Sequence, residues 1–129
     1  MVKLNNNKTG NLFLKYLKNR EFDNLETILS EDVVFQALLP SKNPFREANN
    51  NSDTVGYFKS WFGDADKFKM KKSQSKHLQG KRHFISYHVD LHDEDGWQKV
   101  LQTIYCNIED GIITSLALNC SGYLPLGKD

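Results

Sequence analysis

The sequence predicts an α+β domain in which a strongly curved antiparallel sheet wraps around three N-terminal helices. Residues 66–120 alternate apolar and polar side chains with the two-residue period of strands, broken by glycine turns. Residues 12–29 and 55–62 instead repeat their apolar side chains at helical spacing. An antiparallel sheet with one apolar face must cover that face, and amphipathic helices are the cover available. At 129 residues the chain makes one domain, 1–129, which buries about two thirds of the surface its unfolded form exposes.

A polar tail, residues 1–8, leads to Thr9, a candidate helix cap. Leu12, Phe13, Tyr16 and Leu17 then stripe one side of a first helix. Phe22, Leu25, Ile28 and Leu29 stripe a short second one that stops near Ser30, and Val33 to Leu39 reads as a strand. Pro40 to Ser52 holds two prolines and three consecutive asparagines, which predicts a long irregular loop of the kind that often serves as a lid. Ser52 or Asp53 caps a third helix, with Val55, Phe58, Trp61 and Phe62 inward and Tyr57 at the edge; the stripe is core rather than a dedicated ligand box.

In the strand-rich half, Gln79-Gly80-Lys81-Arg82 carries glycine where a type II′ hairpin needs it. Carried along both strands, that register puts Met70, Lys72 and Gln74 on one face with Ile85, Tyr87, Val89 and Leu91. The other face takes Lys69 and Lys71 with His88, Asp90 and His92. Asp93-Glu94-Asp95-Gly96 closes a four-residue loop pairing His92 with Trp97. It follows that Val89 meets Val100, Tyr87 meets Gln102 and Ile85 meets Ile104 on the inner face. Asp90 meets Lys99, His88 meets Leu101 and Phe84 meets Tyr105 outside. Glu109-Asp110-Gly111 allows two registers for the last strand. One turns Ser115, Ala117 and Asn119 inward, with Leu116 and Leu118 outward, and gathers Tyr87, Gln102 and Asn119 into a polar band.

Charge is nearly balanced, 17 basic residues against 16 acidic, so no global field invites nucleic acid or an anionic membrane. Lys67, Lys69, Lys71, Lys72, Lys76, Lys81 and Arg82 cluster, but Asp90, Asp93, Glu94 and Asp95 lie alongside and no aromatic is interleaved. A self-neutralising, solvated edge is the expectation. No segment has the apolar length of a signal or a membrane span, which points to the cytoplasm. Cys106 and Cys120 stand out of register and read as reduced thiols.

The order of elements, with "FDNLETILSEDVVF" leading into the first strand and "EDGIITSL" turning into the last, resembles the nuclear transport factor 2-like superfamily, which includes SnoaL-like cyclases and ketosteroid isomerase. The resemblance implies a cone-shaped, cystatin-like α+β roll with a pocket between sheet and helices. It also implies dimerisation through the outer face of the sheet, here Phe84, Trp97, Leu101 and Tyr105. In the isomerase branch an acid near the end of the first strand is the base, and a tyrosine on the first helix polarises a carbonyl. Matching positions here hold Ala37, preceded by Gln36, and Phe13, neither capable of proton transfer.

Candidate catalytic residues are therefore His88 and Asp90, two apart on one strand face, and Tyr87. The register sends His88, Asp90 and His92 outward, where Lys71 and Lys99 make cross-strand ion pairing with Asp90 the plainer account. No convergent third ligand accompanies the histidines, so no metal or cofactor is expected. His83, near a turn, reads as a solvated or satisfied histidine. Side chains expected around a ligand are Tyr16, Gln36, Tyr57, Trp61, Tyr87, Gln102 and Asn119. The favoured reading is a binder of a small, mostly apolar ligand. The alternatives are an isomerase, cyclase or dehydratase and an interaction module with a vestigial pocket.

Overall fold

The computed structural model describes residues 6–126. In chain order the elements are α1 (Asn6–Lys18), α2 (Phe22–Thr27), β1 (Leu29–Leu38), β2 (Phe45–Ala48) and α3 (Asn51–Phe62). They continue with β3 (Lys67–Gln79), β4 (Arg82–Asp93), β5 (Gly96–Glu109), β6 (Ile112–Cys120) and β7 (Leu124–Pro125). All strands join one sheet in the order β2-β1-β6-β5-β4-β3, with β7 beside β5. The sheet is mixed rather than wholly antiparallel, because β1 and β6 run parallel. A parallel pair needs a long crossover, and everything from β2 to β5 supplies it.

α1 is already helical at Asn6, so residues 6–8 belong to it; residues 1–5 of the expected tail lie outside the described residues. Asn6 donates its amide to the Ile108 carbonyl at 3.2 Å and accepts from the Gly111 N–H at 2.9 Å, which fastens the start of the helix to the β5–β6 turn. Thr9 is not the cap. It is buried in the helix and donates its hydroxyl to the Gly111 carbonyl at 2.8 Å. α2 ends at Thr27, earlier than its apolar spacing suggested, because β6 captures the chain: Ile113 N–H donates to the Ile28 carbonyl and Leu29 pairs with Ile113. The expected loop 40–52 contains β2, paired antiparallel with β1. α3 is capped by Asn50, whose side-chain oxygen accepts from the Asp53 N–H at 2.7 Å, so Ser52 and Asp53 fall in its first turn instead.

β4 and β5 pair without interruption from Arg82–Asn107 to Asp93–Gly96, and every cross-strand pair expected from the His92–Trp97 turn is present. The turn itself is tighter than expected, since Asp93 and Gly96 are themselves paired.

On either side of this ladder, bulges correct the expected registers. Gln79 pairs with Arg82 as the turn requires, but shifts beyond His77 and again at Lys71 put Ser73 opposite Tyr87 and Lys72 opposite His88. Lys72 and Gln74 consequently lie on the outer face, not the inner one. The Asp110-Gly111 turn, with φ 51° and 83°, pairs Glu109 with Ile112. Continued unbroken, that register would have sent Leu116 and Leu118 outward. A bulge at Thr114 shifts it by one, so Leu116 faces Cys106 and Leu118 faces Ile104, both buried, and Asn119 and Ala117 are exposed outside. A one-residue offset exchanges the two faces of a strand.

Phe13 of α1 and Phe58 and Phe62 of α3 fill the cone with Phe35 of β1. The Phe13 ring meets Phe58 edge-on at 5.8 Å and lies 6.3 Å from Tyr87. Replacing Phe13→Ala removes a fully buried ring at the point where helices and sheet meet, and should cost about 3–5 kcal/mol in chemical denaturation. A loss below about 1 kcal/mol would show that the cone is not packed around this ring.

Candidate functional site

At the open end of the cone lies a cavity of about 350 Å³. Trp61 and Phe62 at the end of α3 form one wall, and Val100 and Gln102 of β5 form the opposite one. Leu39, Pro40 and Ser41 close it from the β1–β2 connection, and Cys120, Gly122 and Tyr123 close it from the segment after β6. That segment crosses the mouth as a strap. Tyr123 donates its hydroxyl to the Trp61 carbonyl at 2.8 Å. Gly122 adopts φ +77° against Pro40, where a Cβ would stand 2.7 Å from the ring carbon Cγ, so both conformation and space require glycine.

The floor of the cavity is a hydrogen-bonded chain. Tyr87 donates its hydroxyl to the side-chain oxygen of Gln102, which leaves the Gln102 amide N–H to donate to Cys120 Sγ at 3.3 Å. The backbone N–H of Gly122 donates to the same sulfur, also at 3.3 Å. Burial pushes the Tyr87 hydroxyl well above the ordinary range for a phenol, and the nearby Cys120 adds to the shift. Enclosed and held protonated, Tyr87 is a donor rather than a base. The Cys106 thiol, deeper on the same face, is pushed by burial up to about 12. Both cysteines are free.

Arg46 enters the cavity from β2, where it pairs with Ala37. Its Nη1 donates to the carbonyls of Asn43 and Phe45.

Of the side chains expected around a ligand, Trp61, Gln102 and Tyr87 converge here, with Tyr87 reaching the cavity only through Gln102. Tyr57 stacks on Phe35 at 5.5 Å and donates to the Glu47 carbonyl at 3.4 Å; Tyr16 is half-buried against the core. Gln36 and Asn119 are exposed on the outer side of the sheet, across from the cone, so the expected Tyr87–Gln102–Asn119 band does not form. His88 and Asp90 do face outward, as expected. They bond each other at 2.9 Å, His88 Nε2 to Asp90 Oδ1, with 25% and 18% of their side chains exposed. His83 is neither solvated nor satisfied. Its Nδ1 faces the Lys81 carbonyl at 3.2 Å, and its Nε2 is buried without a partner among the described residues.

Sequence reasoning missed Arg46, Cys120 and the strap. Phe45, Arg46, Glu47 and Ala48 do not alternate apolar with polar, and four residues are too few to outweigh the prolines and asparagines around them. It also missed that Lys67 and Lys69 place their ammonium groups 5.9 and 5.8 Å from the Trp97 ring centre, since that neighbourhood exists only across strands.

No family model and no curated protein matches this sequence. Solved structures do match its fold. Bal32a, from a soil-derived mobile gene cassette, is similar with a TM-score of 0.71 at 10% identity, covering 92% of this chain and 93% of its own. A nuclear transport factor 2-like protein from Cytophaga hutchinsonii scores 0.64 at 16% identity, covering 93% of each chain. An LEH-like epoxide hydrolase from M. tuberculosis also scores 0.64 at 16% identity, covering 88% of this chain and 80% of its own. The fold is therefore the nuclear transport factor 2-like one.

Because Cys106 and Tyr87 have raised folded-state values, the stability they contribute is complete below their ordinary values of 9.0 and 10.0. It is lost as pH rises, through about 12 for Cys106. Urea midpoints should fall steadily above pH 9, and Cys106→Val should flatten the first part of that fall. Identical alkaline slopes in the two proteins would contradict the burial of the thiol.

Proposed function

We propose that this chain binds a small, mostly apolar molecule in the cavity at the mouth of the cone. The observation that carries this reading is the lining itself: aromatic and aliphatic walls over a floor of Gln102 and Cys120, with no carboxylate, histidine or lysine among the described residues on it. Sulfur is a weak acceptor, so a carbonyl or hydroxyl oxygen of a ligand would draw the Gln102 amide away from Cys120 at a gain. Proton transfer lacks a base, since Ala37 and Phe13 stand where the resemblance implies an acid and a tyrosine, and the His88–Asp90 pair lies on the far side of the sheet. Binding without turnover is the reading favoured over an isomerase or cyclase. A cytoplasmic setting, where both thiols stay reduced, belongs to the same proposal.

A second observation supports a homodimer through the outer face. Tyr105 packs on Phe84 at 5.3 Å, and Leu101 and Tyr105 leave 41% and 45% of their surface exposed. Across β6 and β1, Leu38 and Phe45 extend the patch with 44% and 67% exposed. Monomers rarely leave such a patch wet, and an isologous pairing would cover it twice over. Trp97, covered by Lys67 and Lys69, sits at its margin.

Ligand binding can be read from Trp61. In a Trp97→Phe background, small hydroxylated aromatics and ketones should quench its emission saturably and slow alkylation of Cys120; a panel with neither effect would remove the binding proposal. Leu101→Lys should shift a sedimenting dimer to monomer at micromolar concentration, and a wild-type monomer would dispose of the dimer.

A further inference from the structure

Among the described residues the mouth cavity is lined by one cation and no carboxylate, and we infer that its ligand is a small carboxylic acid with an apolar body, bound as the anion by Arg46. The inference rests on the reading of the mouth as a binding pocket and adds the chemical class of what enters it.

Arg46 pairs with Ala37, whose side chain is buried on the inner face, and residues opposite one another in a ladder point to the same side. The stem of Arg46 thus enters the cone from the sheet edge. Its guanidinium is held from one end only. Nη1 is committed to the Asn43 and Phe45 carbonyls. Among the described residues Nε and Nη2 have no hydrogen-bond partner, and Arg46 forms no ion pair. Nε–H and one Nη2–H together are the fork that accepts a carboxylate through two parallel bonds.

Carbonyls orient the group without neutralising it. The connection that supplies them is itself fastened, with Leu39 N–H donating to the Pro44 carbonyl at 2.7 Å and Ser41 Oγ to the Asn43 carbonyl at 2.9 Å, so little ordering remains to be done on binding. A single guanidinium matches a monoanion better than a phosphate, whose second charge would find no further cation on the lining. Trp61, Phe62 and Val100 suit an apolar body.

The experiment compares 3-phenylpropionate and octanoate with their neutral amides on the wild-type protein and Arg46→Gln, both carrying Trp97→Phe so that emission reports Trp61, with protection of Cys120 from iodoacetamide as the second readout. Carboxylates should bind wild type about tenfold or more tightly than the amides. In Arg46→Gln they should fall to the level of the amides, whose unchanged affinity certifies an intact pocket. Equal binding of acid and amide to wild type, or a preference for acid that survives in Arg46→Gln, overturns the assignment to Arg46 while the pocket stands. If neither acids nor amides bind, the pocket reading and this inference fall together.

Discussion

The unbroken ladder between β4 and β5 is the constraint on which the rest of the molecule depends. It fixes Ile85, Tyr87, Val89 and Leu91 on the helix side together with Val100, Gln102, Ile104 and Cys106, and no residue along it is free to change sides. Every neighbouring strand has to meet that inner face with apolar side chains of its own. Where turn geometry alone would have failed to deliver them, a bulge makes up the difference. The helices then close over a surface whose pattern is already decided. Phe13 and Phe58 seat against it, and the space left at the wide end becomes the mouth cavity.

Much of this was legible in the residues. The alternation of β4 and β5 and the glycine at position 96 named every pair of the central ladder, and that alone placed Tyr87 inside and His88 and Asp90 outside. The aromatic stripe of α3 was equally plain. What could not be read was any feature that depends on an unpaired residue. Nothing in Met70-Lys71-Lys72 or Thr114 announces a bulge, because the same residues would fit a regular strand, and the cost of the regular strand appears only when Leu116 and Leu118 are left outside. The caps failed for a related reason: Ser52 and Asp53 have the right chemistry, but Asn50 has it too and takes the Asp53 N–H, while Thr9 spends its hydroxyl on the Gly111 carbonyl from inside the helix.

At the site, side chains that belong to long elements were legible and those that belong to short ones were not. Gln102 and Trp61 follow from strand and helix periodicity. Arg46 depends on a four-residue strand, and Cys120 depends on a register that is set one bulge away. The polar groups that resulted are sparse, and each is oriented by a neighbour. Tyr87 fixes which way the Gln102 amide faces, Gly122 adds a second donor at Cys120, and two carbonyls hold the guanidinium of Arg46.

The bulge at Thr114 lets this hairpin carry one residue more than its ladder can pair. Deleting Thr114 would leave Ile108–Ile113 and Asn107–Ser115 as consecutive pairs and Leu116 and Leu118 inside, whereas drawing Thr114 into the ladder would carry Ser115, Ala117 and Asn119 into the cone and expel both leucines. The segment between Asn107 and Ser115 thus tolerates the loss of its one unpaired residue, and what it cannot tolerate is that residue joining the ladder.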